Sequence, residues 1–299
     1  MSVPSILSAR PAGRVALAAA AALSLASLPA LAQVTGHDWQ KTYSVGSGPS
    51  LSIETGDSSL DIKSCGDCKE IRVQVHSGRD LNDYRLEEHQ EGDHVSFSLK
   101  EKPLLGFHMG WKGEGTKVIV ETPAHLELDA KTSDGNFSAR ELTGNLQVRS
   151  GDGSVSLDDV HGALRLTSSD GNVVIRRATG TLEARGSDGH MQVDGQFTAV
   201  QLHTSDGNLD LTLSPGSQLN AASRIESSDG QVILHVPSTL AADLDVTTTD
   251  GRLDCNLPLT MDHYDSNESS GHSVHGRLNG GGMPLRIHTS DGNVRIAAL

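Results

Sequence analysis

The sequence predicts an all-β protein, a parallel β-solenoid of 18-residue coils entered through a β-rich lead-in, and three observations on its 299 residues carry that expectation. Asp-Gly steps stand at Asp134-Gly135, Asp152-Gly153, Asp170-Gly171, Asp188-Gly189, Asp206-Gly207, Asp229-Gly230, Asp250-Gly251 and Asp291-Gly292, at intervals of 18, 18, 18, 18, 23, 21 and 41 residues. Apolar residues keep step with these pairs. The third residue after each Asp is Phe137, Val155, Val173, Met191, Leu209, Val232, Leu253 and Val294; the fourth before it is Ala130, Val148, Leu166, Ala184, Leu202, Ile225, Val246 and Ile287. Polar residues form columns as well. Asn136, Asn172, Asn208 and Asn293 follow four of the glycines, and Ser or Thr precedes most of the acids.

Apolar and polar residues alternate within each unit, as in Asn145-Leu146-Gln147-Val148-Arg149, which is the period of a strand with one buried face. Gly144, Gly162 and Gly180 break each unit near its middle, so a unit reads as strand, turn, strand, turn. An antiparallel meander is the alternative, because Asp-Gly also favours hairpins. The constant interval favours the solenoid, since a coil must match its neighbour's circumference and a meander need not. Stacked coils also place like residues ~4.8 Å apart, where hydroxyls and amides can bond along a column.

The elements follow in order. Arg10 and Arg14, an apolar run over 15–28 and Ala30-Leu31-Ala32 give residues 1–32 the form of a secretory signal peptide, with a run too short to span a bilayer. Residues 33–122 read as the lead-in or cap; Thr55-Gly56-Asp57 resembles a degenerate corner, so this stretch begins the stack or closes it. Its apolar segment 104–111 is expected to be a lid over the open end. Residues 123–299 form the repeat region, within which 261–283, rich in Gly and His, reads as a surface excursion. Cys65 and Cys68 in Cys-Gly-Asp-Cys are expected to form a local disulfide in an oxidising compartment, and Cys255, in an apolar column, a buried thiol.

Chemistry is harder to find. Asp-Gly suits a corner, where Gly accepts positive φ and Asp bonds nearby backbone N–H groups. Stacked carboxylates could instead gather a cation, which makes Asp134, Asp152, Asp170, Asp188 and Asp206 candidate metal ligands; His263, His272 and His275 in the excursion are others. Ca²⁺ wants about six to eight oxygens and one acid per turn supplies few, so the corner reading is preferred and no metal or cofactor is assigned. No nucleophile elbow, zinc-helix or P-loop spelling is present, and an acid repeated in every coil singles out none for catalysis. A formal charge of −14 disfavours nucleic acid as a partner.

The signal-peptide-like start, the repeated Thr-Ser-Asp-Gly-Asn corners and the closing His-Gly-Arg-Leu-Asn-Gly-Gly-Gly and Leu-Arg-Ile-His-Thr-Ser-Asp-Gly-Asn-Val together resemble the bacterial "putative adhesin" family. That is a domain family of unknown function, related to the head domains of autotransporter adhesins. The likeness covers most of residues 40–299 and implies a non-enzymatic adhesin-like or scaffolding solenoid, exported to the periplasm or cell surface. An envelope protein or polysaccharide is the partner so implied. A polysaccharide-active β-helix enzyme and a calcium-dependent binding module are the alternatives.

Overall fold

Alternating side chains become strands wherever one face can be buried, and here nearly every strand does so. The computed structural model describes residues 33–103, 115–265 and 272–299. The signal-peptide reading of 1–32 and the apolar segment 104–111 fall outside them. Eight strands make the lead-in: β1 (Gln33–Thr35), β2 (Asp38–Ser44), β3 (Ser50–Thr55), β4 (Ser59–Ser64), β5 (Glu70–His76), β6 (Tyr84–Glu91), β7 (His94–Glu101) and β8 (Lys117–Thr122). The repeats follow as β9 (Glu127–Thr132), β10 (Phe137–Ser150), β11 (Val155–Ser168), β12 (Val173–Arg185), β13 (Met191–Thr204), β14 (Leu209–Leu213), β15 (Ser223–Ser227) and β16 (Val232–Val236). The chain ends with β17 (Ala242–Thr248), β18 (Leu253–Asn256), β19 (Thr260–Asp265), β20 (His272–Leu278), β21 (Met283–Thr289) and β22 (Val294–Ala298).

The long strands β10 to β12 each fold back at mid-repeat. Glu141, Asp159 and Arg177 take positive φ there (58°, 55° and 52°), and Gly144, Gly162 and Gly180 complete the bend at 143°, 118° and 120°. Each coil therefore has two flat sides, one entering the Asp-Gly corner and one leaving it. Parallel pairing joins each coil to the next in the register the columns predict, Phe137 beside Val155 beside Val173 beside Met191. Their side chains point inward with Leu146, Leu164 and Leu182 from the opposite side, all at most 2 % exposed. Each such residue contributes ~1.5–3 kcal/mol by leaving water. The meander is excluded by this parallel pairing.

Stack order departs from chain order at both ends. β3 lies between β7 and β9, and β4 between β8 and β10, so the first coil sits one place in from the end. The lead-in is thus part of the stack. At the other end, β21 lies between β15 and β17, and β22 between β16 and β18. The chain's last coil is inserted between two earlier ones. The described parts of 261–283, residues 261–265 and 272–283, are not a loose excursion either. β20 runs antiparallel against β17 and β19 against β20, extending the corner-entry sheet past the last coil. Backbone groups at a sheet edge need partners, and this hairpin supplies them for β17.

Candidate functional site

The corners are the most regular feature, and their chemistry differs from the expectation in two respects. The glycines there do not take positive φ. They are required by close approach: a Cβ on Gly153 would stand 2.1 Å from the carbonyl oxygen of Gly135, on Gly171 2.1 Å from that of Gly153, and on Gly251 2.0 Å from that of Gly292. Each coil's corner backbone lies where the next coil's side chain would be.

The aspartates make no backbone hydrogen bond with their carboxylates, among the described residues. Buried hydroxyls two residues before the acid secure the turn instead. Ser150 Oγ donates to the Gly153 carbonyl at 2.9 Å and Thr289 Oγ1 to that of Gly292 at 2.8 Å, with Ser168 and Ser227 in the same role. The asparagines link coils by accepting from backbone N–H groups: Ser154 N to Asn136 Oδ1, His190 N to Asn172, Gln231 N to Asn208 (each 3.0 Å) and Arg252 N to Asn293 (2.9 Å). All eight corner aspartates, Asp134, Asp152, Asp170, Asp188, Asp206, Asp229, Asp250 and Asp291, are left exposed in a row along one rim.

No group of three or more His, Cys, Asp or Glu is placed to hold a metal ion among the described residues. His263 in β19 pairs with His275 in β20. His275 Nδ1 is 3.0 Å from Asp245 Oδ1, whereas His272, an odd number of residues away on the same strand, faces the other side with Nδ1 buried and unpartnered. Cys65 and Cys68 are bonded, their Cα atoms 5.8 Å apart around Gly66 at φ 73°. Cys255 is half-buried, not enclosed, because β18 has no strand on its outer side. Burial still pushes its thiol above the ordinary range.

The flat sides carry what the sequence reading missed. On the corner-entry side a recurring arrangement sets one acid between two bases: Glu183 between Arg165 (3.2 Å) and Arg185 (2.5 Å), Glu54 between Lys100 (2.6 Å) and Lys131 (3.0 Å), and Asp245 between His275 and Arg286. Arg185 holds the Glu183 carboxyl below the ordinary range, and Lys100 does the same for Glu54. A shallow groove of about 610 Å³ runs along this side, floored by small residues such as Asn145, Ala163, Thr181 and Ala199. Only Arg165 and Glu183 stand one 18-residue coil apart in the sequence; the other pairs between coils need the stacking register before they can be seen.

The chain belongs to the toastrack family (DUF4097), whose profile matches residues 49–297. Among solved structures it is similar to a "putative lipid binding protein" of Parabacteroides distasonis, at 13 % identity and TM-score 0.49 over 88 % of this chain and 97 % of that one. A "putative adhesin" of Parabacteroides merdae matches at 11 % identity and TM-score 0.43 over 88 % and 97 %. A "putative adhesin" of Bacteroides fragilis matches at 11 % and 0.38 over 88 % and 98 %. No curated protein matches the sequence. No helix among the described residues is long and apolar enough to cross a membrane, which says nothing of β-barrels.

Proposed function

We propose that this protein is an exported, non-enzymatic, adhesin-like or scaffolding solenoid of the bacterial cell envelope, working in the periplasm or at the surface on a polymer or protein ligand. One observation carries the reading. Its polar side chains repeat coil after coil along extended faces, and the eight corner acids share one setting, whereas a reaction centre needs groups in contrasting environments. The leader-like residues 1–32 and the adhesin names among similar structures support the envelope.

Two measurements test it. Cell fractionation with protease shaving should place the protein in the periplasm or at the surface, and the purified chain should sediment with envelope fractions. Recovery in the cytosol, or no sedimentation, removes the reading. The enzyme alternative is tested by screening for turnover of uronate polymers. Turnover that disappears in both Asp170→Asn and Asp188→Asn would establish catalysis and end the binding interpretation.

A further inference from the structure

At the C-terminal end of the stack the two sheets stop at different heights, and both stop on unpaired strands. Among the described residues the corner-exit sheet ends at β18, which pairs with β22 alone. The corner-entry sheet runs on past β17 through β20 to β19, which pairs with β20 alone. The offset is two strands, roughly 10 Å. On β18 the open edge is a real one. Val294 N donates to Arg252 O, so the N–H and C=O groups of Leu253 and Cys255 point the other way, out of the stack.

The apolar interior is open at the same place. One coil in, Val294 and Ile296 are 1 % and 0 % exposed, whereas Leu253 and Cys255 beside them are only partly buried. Leu257 and Leu259 are partly buried too. Leu259 lies against Gly276 of β20, on which Val274 and Leu278 are buried, so these leucines have a covered side. No described strand stands on the level where the corner-exit sheet would continue over them. A cleft of about 750 Å³ opens at the corner end of this gap, between His272 of β20 and Arg252 and Asp254 of the last coil. His272 Nδ1 is buried without a partner, and a buried polar group wants one.

We propose that this end is the contact surface for a second copy of the chain, in a closed two-fold dimer. β20 runs against β17 and β19 against β20, so β19 runs with β17 and opposite to β18, which follows the corner. A two-fold axis parallel to the strands exchanges the two sides of the stack. It sets β18 beside the partner's β19 in antiparallel order, and β19 beside the partner's β18. The two-strand offset lets both contacts form together, because each hairpin fills the level missing from the other copy. Leu257 and Leu259 of both copies then lie between the two hairpins. A lone strand from another protein would close β18 and leave β19 open. Arg252 and Asp254 project from the outer face of the sheet, so they stay in water when the edge is paired. The same axis brings both acidic rims into one line, so like charge opposes the dimer and salt relieves it. The inference is independent of what the protein binds in the envelope.

The test is sedimentation velocity of the purified chain over a wide range of concentration. Expected is a single monomer–dimer equilibrium that tightens ~3-fold or more between low and physiological salt. Cys255 is the one thiol outside the disulfide, so a maleimide reads the contact directly. Where about nine-tenths of the chain is dimeric, labelling should slow ~10-fold, since only free monomer exposes the thiol. Leu257→Glu puts a carboxylate between the hairpins and should weaken the dimer ~100-fold or more. Circular-dichroism melting at a dilution where the wild type is monomeric shows whether that variant is folded, and the wild-type labelling result stands either way. The proposal is overturned if the chain stays monomeric at every concentration, or if it forms an open series of larger species. A dimer in which Cys255 labels as fast as in the monomer, or a folded L257E that dimerises like the wild type, overturns it equally.

Discussion

The two ends of the stack solve one problem with different materials. Beyond the first coil, β3 and β4, the corner-exit sheet continues as β8, β5, β2 and β1, and the corner-entry sheet as β7 and β6. Trp39, Tyr43 and Tyr84 close the interior there, with Trp39 5.4 Å from Phe97 between ring centroids. The hydroxyls of both tyrosines have partners. Tyr84 Oη lies 2.7 Å from Thr116 Oγ1, and Tyr43 donates to Glu88 at 3.1 Å, its phenol held far above the ordinary range by burial and by the charge of Glu88. The C-terminal end has an aliphatic closure. Leu253, Cys255, Leu257 and Leu259 remain only partly buried, and Leu259 packs beside Gly276 of β20. β18 is left as an edge of four residues, guarded by Arg252, Asp254 and Pro258. A stack can thus be ended by a deep aromatic wall or by a short charged edge, and the two should differ in stability.

Substitutions can break that contrast. Trp39→Ala should cost about 3–5 kcal/mol, read as a lower midpoint in urea, while Leu259→Ala at the other end should cost only ~1 kcal/mol. Equal losses would mean that the ends are energetically alike. A methyl group at the corner probes how freely the coils move apart. Gly171→Ala meets backbone from a coil held on both sides and should cost about 3 kcal/mol, whereas Gly251→Ala, in the outermost coil, should cost ~1 kcal/mol because that coil can shift outward. Cys255→Ser should cost less than about 1 kcal/mol, since the thiol is only partly removed from water.

Acid supplies the smallest and most selective test. Lys100 and Lys131 hold the Glu54 carboxyl below its ordinary value of 4.5, and Lys63 and Arg72 hold that of Glu121. A folded-state value depressed in this way adds stability that is complete above the ordinary carboxylate range and is lost as pH falls through the folded-state value. Both groups are partly exposed, so each contributes less than about 1 kcal/mol. Hydrogen exchange should show β3 and β8 losing protection on going to about pH 3, and to a smaller extent when Glu54 and Glu121 are both replaced by Gln.

Much of the fold was readable because the steric demands of a stacked coil recur in every unit. The inward columns, the mid-repeat glycines and the corner glycines are all written in the spacing. The swapped order at the C-terminus was not read, yet a signal existed. In stack order the residue after the corner glycine runs Asn136, Ser154, Asn172, His190, Asn208, Gln231, Asn293, Arg252, an alternation that chain order breaks. The excursion was misjudged because glycines and histidines over 271–282 hide the pairing of Val274 with Val246. The corner aspartates suggested an internal bonding role, while the work falls to Ser and Thr two residues earlier. The charged flat sides stayed invisible because ion pairs between coils need the register first.

The insertion of the final coil has a mechanical consequence. Tension applied at Leu299 reaches β22, which is clamped by β16 on one side and β18 on the other. Two parallel ladders must then slide at once, a far stiffer response than unzipping an outermost strand. A tether joined to that terminus would transmit load into the body of the stack, leaving its tip unpeeled.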